Sequence, residues 1–433
     1  DVSLMPEATR QFASLLAMAA SLTATGCADV AQSPLTSSNA RAASRQANLI
    51  PVKAPPGEQV LYSFPGTIGG LTPTTEVTID KGGDIYGTTN GGGGLTIFEL
   101  EKTALGFKPL GLYDGTQNTG ERPSGQVIVD SSGDIFGTSA GNSGSCSGNC
   151  GTVYELQPLH LGGYYLIRAY YFTTAYSNPN GIVEAPDGTF YGTTQNDGHA
   201  QRGTVFRLTP TASGFAYKIV HDFKGGNDGS IPMAPLIEDA TGAFYGTTSY
   251  GGRGTGCTGG CGTVFKLTPA GSSYVKTELY NFQGGTDGGF PATVLLEDSS
   301  GTLYGGTTVG GGSTACSEGC GTVFELVPGS GAYTERVLHV FQGGDGQFPG
   351  AVAFGKGGVL YGVTAGGGAY GKGTIFSLTT RANPTQTTLH SFGSGTDGAY
   401  PSVGLVAHGK TFFGTTSSGG GASASGTVFE FTP

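Results

Sequence analysis

An aromatic residue followed by glycine and then small residues returns seven times along this chain, at Tyr86, Phe136, Tyr191, Tyr245, Tyr304, Tyr361 and Phe413. The copies lie 50 to 59 residues apart. A second word follows each one: TIFEL from Thr96, GTVYEL from Gly151, GTVFRL from Gly203, GTVFKL from Gly262, GTVFEL from Gly321, GTIFSL from Gly373 and GTVFEF from Gly426. A period near 50 residues carrying four strand-like segments belongs to a propeller rather than a solenoid. The unit from Lys218 to Leu267 is a good specimen. Its β-branched and aromatic runs are short and are bounded by Gly, Pro, Asn and Asp, and none has the 3.6-residue period of an amphipathic helix.

The expected fold is therefore all-β: a seven-bladed β-propeller of four-stranded antiparallel blades over residues 58–433. In each blade PLIED-like residues form an inner strand a, FYGTT strand b, GTVFKL strand c, and the following YxxxLYxF segment the outer strand d. The first strand begins near Val60 and the chain ends on a strand c at Phe431. The N-terminal strand is thus expected to complete the last blade, which hides the edges that a ring would otherwise leave open. In an up-and-down blade the d–a and b–c connections emerge on one face and the short a–b and c–d turns on the other. The long, variable loops share the first face, which is where a ligand is expected.

Composition agrees. Glycine reaches 81 of 433 residues, yet 37% are hydrophobic, with 24 Phe and 20 Tyr, too many for a solvated coil. The net charge of −10 speaks against nucleic acid and against anionic membrane surfaces, both of which need a basic face.

Residues 1–27 look like an export signal. Met5 and Arg10 precede the apolar run Phe12 to Leu22, which is too short to span a bilayer. Ala24-Thr25-Gly26-Cys27 then permits signal cleavage before Cys27 and resembles a lipoprotein site, in which that thiol is acylated. Residues 28–57 are rich in Ala, Ser, Pro and Asn and read as a flexible tether. The other six cysteines form three C-x-x-x-C pairs at matching loop positions, Cys146/Cys150, Cys257/Cys261 and Cys316/Cys320. In an oxidising compartment these are expected to be local disulfides, since no recurring histidine completes a zinc set.

The pattern GxLYGTT…GG…GTVFxL, as at Thr302 to Leu326, resembles the GloVer (Gloeobacter/Verrucomicrobia-type) tandem repeat of exported bacterial proteins with interchangeable anchors. Blade one departs by lacking the Gly before Thr96, and blade three lacks the Gly-Gly of its b–c loop. The resemblance implies a surface or secreted location and no established activity.

Candidate site residues are sparse. Asp228, Asp287, Asp345 and Asp397 recur as Asp-Gly in the d–a loops. A ring of carboxylates there would suit Ca2+ or sugar hydroxyls, although Asp-Gly is also ordinary turn chemistry. His221, His339 and His390 share the strand-d register of Tyr62 and Tyr280 and read as packing positions. Asp80, Asp130, Asp239 and Asp298 close strand a and read as turn caps. No nucleophile elbow, zinc motif or phosphate loop appears, so catalytic residues are assigned to none. The expected function is an exported cell-surface or secreted binding or adhesion module for a polysaccharide or an envelope protein. It needs no cofactor, with Ca2+ the one candidate, and touches a membrane only through an anchor at Cys27. The alternative is a lyase- or lactonase-like propeller enzyme using His199 and a few acids at the channel mouth.

Overall fold

The structure, a computed structural model, describes residues 57–65, 72–91, 94–114, 121–141, 150–159, 164–174, 176–401, 403–421 and 425–433. The signal segment with Cys27, the tether up to residue 56, Cys146 and His160 lie outside the described residues.

Seven separate antiparallel sheets follow one another along the chain, and each is one blade. Blade 4 runs a, Ile237–Glu238; b, Phe244–Thr248; c, Thr263–Ala270; d, Ser273–Asn281. Blade 7 takes its strand d from the start of the chain: Gly57–Ser63 pairs antiparallel with Thr427–Thr432. The ring is therefore closed by hydrogen bonds between the two ends of the propeller, as the strand order predicts.

The two repeated words answer to two contacts. Gly246 of the YGTT word lies opposite Phe265 of the GTVF word, and a Cβ on Gly246 would sit 2.6 Å from the Phe265 ring. The ring lies flat across the neighbouring strand because glycine leaves it room. Hydroxyls then pair at the far end of the same two strands, Thr248 with Thr263 at 2.9 Å and Thr416 with Thr427 at 2.9 Å. The Gly that opens GTVF faces the next blade. Gly262 has a φ of +91°, and a Cβ there would lie 2.3 Å from the Thr248 carbonyl oxygen and 2.6 Å from Pro291 Cδ of blade 5. Gly426 stands in the same relation to Pro73 of blade 1, so the closing seam is locked like the others.

The core lies between blades rather than within them. Tyr245, Val264 and Phe282 of blade 4 pack with Leu295, Leu303, Phe324 and Leu326 of blade 5 in one buried cluster. Further in, adjacent strands a are joined by small polar groups. Gln126 Nε2 donates to the Val77 carbonyl at 2.8 Å, and Asn180 Nδ2 to that of Pro232 at 2.7 Å. Each blade thus buries its apolar surface against its neighbours, so the stability of the ring is largely the sum of its seams.

Candidate functional site

The long loops interlock into one surface. The b–c loop of blade 4 bridges the d–a loops on both sides: Gly252 N–H donates to the Gly226 carbonyl at 2.8 Å, and Gly256 N–H to that of Gln283 at 3.2 Å. Gly311 to Gly285 at 2.7 Å and Gly368 to Gly343 at 2.9 Å repeat the first of these in blades 5 and 6. Disulfides Cys257–Cys261 and Cys316–Cys320 brace two of the b–c loops. Cys150, buried at the matching place in blade 2, is also disulfide-bonded.

The d–a loops before blades 4 to 7 end in a costly conformation. Ile231, Phe290, Phe348 and Tyr400, each just before a proline, have φ between 54° and 58°. The left-handed region is strongly disfavoured for β-branched and bulky residues and persists only where surroundings over-determine it. Here each amide donates to the b–c loop of the preceding blade: Ile231 to Arg202 at 2.8 Å, Phe290 to Cys261 at 2.9 Å, Phe348 to Cys320 at 2.9 Å and Tyr400 to Lys372 at 2.7 Å.

The four loop aspartates sit inside this lattice with their oxygens engaged. Asp228 Oδ2 accepts the Lys224 amide at 2.9 Å, and its carboxylate meets His221 Nε2 at 3.0 Å. Asp345 accepts the Gln342 amide at 2.7 Å and meets His339 Nε2 at 2.8 Å. Asp397 accepts the Gly393 amide at 3.1 Å and meets His390 Nε2 at 3.0 Å. In Asp287 the partner is Tyr280, whose hydroxyl donates at 2.8 Å, beside the Gln283 amide at 2.6 Å. The strand-d histidines therefore do more than pack: each ties its loop to the outer strand while standing edge-on to a buried Phe, as His221 does on Phe223 with centroids 4.8 Å apart. The three histidines belong to three different blades and form no joint centre.

The environments of these acids differ. Burial pushes Asp228 up, but His221, the Lys224 amide and the Lys276 ammonium outweigh it and hold the carboxyl well below the usual range. Lys276 Nζ, on strand d of blade 4, lies 3.0 Å from Asp228 Oδ1 and almost out of solvent. Burial raises Asp287, with the Gln283 amide and Tyr280 opposing it. The residue of blade 5 that faces Asp287 is another acid, Glu335, pushed up to about 8 by burial and then by Asp287 and Glu325. Glu58 is likewise raised to about 8 by burial and by Asp397.

On the opposite face the acids closing strand a act as turn caps. Asp239 Oδ1 accepts from the Thr241 amide at 2.8 Å and the Ala243 amide at 3.0 Å, and Asp298 repeats this with Ser300 and Thr302. His199 stands on the loop face of blade 3, its ring nearly fully exposed, with Nδ1 2.6 Å from Asp222 Oδ2. A single exposed His–carboxylate contact lacks the third group that would orient a base toward a reacting atom. Among the described residues no group of three or more His, Cys, Asp or Glu side chains could hold a metal ion.

Two residues that the repeat pattern did not single out stand on the loop face with most of their surface in solvent. Tyr176, in the d–a loop before blade 3, is 58% exposed, and Tyr370, in the b–c loop of blade 6, is 56% exposed. Tyr176 lies in a d–a loop without the Asp-Gly of the later repeats, and Tyr370 takes the place of Ala200 in the equally long b–c loop of blade 3, so neither leaves a periodic signal.

The family description "Gloeobacter/Verrucomicrobia repeat" matches residues 142–317 and 311–433. The chain belongs to the Gloeobacter/Verrucomicrobia repeat family. No curated protein sequence matches it. Among solved structures, an ancestral GH74 enzyme is similar with a TM-score of 0.53 at 9% identity, over 84% of this chain and 48% of that one. A fungal alcohol oxidase of the AA5 family, in complex with copper, gives 0.51 at 12% identity, over 87% of this chain and 76% of that one. A gluconolactonase from Xanthomonas campestris gives 0.41 at 13% identity, over 71% and 91%. At such identities the likeness concerns the fold alone.

Proposed function

We propose that this repeat protein is an exported binding module that recognises a polysaccharide on its loop face. The observation that carries the reading is the pairing of a rigidly cross-bonded loop surface with exposed tyrosines on separate blades. An aromatic face offers an apolar plane for a sugar ring and a hydroxyl for its edge, and Tyr loses little conformational entropy when covered. Platforms on well-separated blades suit an extended polymer better than a small molecule. The disulfides fit an oxidising compartment, and so support export.

In this reading Asp228, Asp287, Asp345 and Asp397 contribute by shaping the loops, since their oxygens already accept loop amides and strand-d partners. The test is a glycan array and polysaccharide co-sedimentation on the exported form, with Ca2+ and with EDTA, for wild type, Tyr176→Ala and Tyr370→Ala. Binding should survive EDTA and weaken about tenfold in each tyrosine variant, equivalent to roughly 1.4 kcal/mol. Binding abolished by EDTA would instead make the aspartates calcium ligands. Retention of an envelope protein, with no glycan retained, would replace the polysaccharide with a protein partner.

A further inference from the structure

The seam between blades 7 and 1 contains a cavity of ≈ 310 Å³ on the turn face, away from the loops. Comparison with another seam tells what it is shaped for. In blade 5, Arg336 on strand d pairs in register with Glu325 on strand c. Its Nε donates to Glu325 Oε1 at 2.7 Å, and its two terminal nitrogens reach the c–d turn of blade 6, donating to the Thr380 carbonyl at 2.8 Å and the Arg381 carbonyl at 3.2 Å. One guanidinium thus fills the seam between blades 5 and 6.

The same positions in blade 7 are Gln59 on strand d and Glu430 on strand c, paired in the same register. The residues of blade 1 equivalent to Thr380 and Arg381 are Lys102 and Thr103, since Leu100 and Leu378 hold the same place opposite strand b. All four of Gln59, Glu430, Lys102 and Thr103 line the cavity. The carboxylate and the turn are present, and the guanidinium of strand d is replaced by a shorter, neutral amide. In blade 4 the strand-c position itself holds a cation, Lys266, whose Nζ donates to Tyr245 Oη at 2.6 Å and lies 4.6 Å from that ring. Among the described residues Glu430 takes part in no ion pair. Lys102 also lines the cavity, with its ammonium resting over Gly83 of its own blade. Leu61, Phe107 and Phe413 supply an apolar wall, with the two rings 6.4 Å apart edge to face.

We propose that this cavity binds a guanidinium group, an arginine side chain whose fork meets the Glu430 carboxylate and the c–d turn of blade 1 while its stem lies against Phe107 and Phe413. A planar fork matches a carboxylate with flanking carbonyls, and its cationic plane favours aromatic neighbours. The arginine has two available sources of the same chemistry. One is an external peptide. The other is the chain's own residues 28–56, which carry Arg41 and Arg45 and enter the ring at Gly57, on the strand that lines the cavity.

The probe is N-acetyl-arginine methylamide, titrated by calorimetry into the full chain and into its Arg41→Ala/Arg45→Ala form, with N-acetyl-lysine methylamide as control. Binding by wild type, weakened about tenfold or more in Glu430→Gln, supports an external source. Binding only by the double variant, with the same sensitivity to Glu430→Gln, assigns the site to the chain's own arginines. Gln59→Arg supplies the missing group in place, and should abolish probe binding and raise the melting temperature by roughly 2 °C. The proposal is overturned if neither form binds the probe and Gln59→Arg leaves the melting temperature unchanged. It is equally overturned if the probe binds as well to Glu430→Gln and Gln59→Arg as to wild type.

Discussion

The loop face and the turn face cross the same seven seams with different groups. On the loop face the crossing bonds are mostly backbone to backbone: ahead of blades 4 to 7 a positive-φ residue before a proline donates to the preceding blade, as Phe290 does to Cys261 at 2.9 Å. On the turn face the crossings are made by side chains and change from seam to seam: Tyr274 to Tyr191 between blades 3 and 4, Arg336 to the c–d turn of blade 6 between blades 5 and 6. A surface held by its backbone can vary its side chains without losing shape, which suits display of a ligand site. The turn face opens at the closing seam, where Gln59 stands in the place that Arg336 takes in blade 5.

The largest expected effect tests the backbone side of this contrast. Gly262→Ala places a Cβ 2.3 Å from a carbonyl oxygen at positive φ, and should destabilise the ring by about 3–5 kcal/mol in urea unfolding. Tyr274→Phe, which removes one turn-face crossing, should change it by about 1 kcal/mol or less. Equal losses would break the comparison. Next, removing the staple with Cys257→Ser/Cys261→Ser should lower stability by roughly 2 kcal/mol in non-reducing calorimetry. The loss should vanish when wild type is measured with reductant.

The smallest effects are electrostatic and opposite in sign. The folded pKa of Asp228 is depressed, so its contribution is present above the ordinary carboxyl value of about 3.9 and lost as pH falls below it. Asp228→Asn should therefore flatten the acid limb of the stability profile by roughly 1 kcal/mol, a value discounted for its partial exposure. Glu335 is raised to about 8, so its contribution is complete below about 4.3 and disappears as pH rises through 8. Glu335→Gln should leave stability at pH 5 unchanged and raise it at pH 9 by roughly 1 kcal/mol, again after allowance for exposure. A melting series from pH 3 to pH 9 reads both, and a shared sign would contradict the charge assignments at the two seams.

The blade count, the strand order and the closure by the first strand were all legible in the sequence. Their determinants are contacts that recur once per blade, so they leave a periodic trace: glycine beneath the Phe of the next strand, threonine opposite threonine, glycine against the proline of the following blade. The paired cysteines at matching loop positions were legible for the same reason, and two of the pairs are seen bonded.

What periodicity could not carry was decided by the tertiary structure. The partnership of His221 with Asp228, and of its counterparts in two other blades, depends on how a glycine-rich loop turns back on strand d. The exposure of Tyr176 and Tyr370 depends on side chains that do not recur at the matching positions of other blades. The cavity at the closing seam joins Gln59 and Lys102 to Phe413 and Glu430, residues from opposite ends of the chain. They face one another only because the ring closes, and a contact made once per molecule leaves no repeat to read.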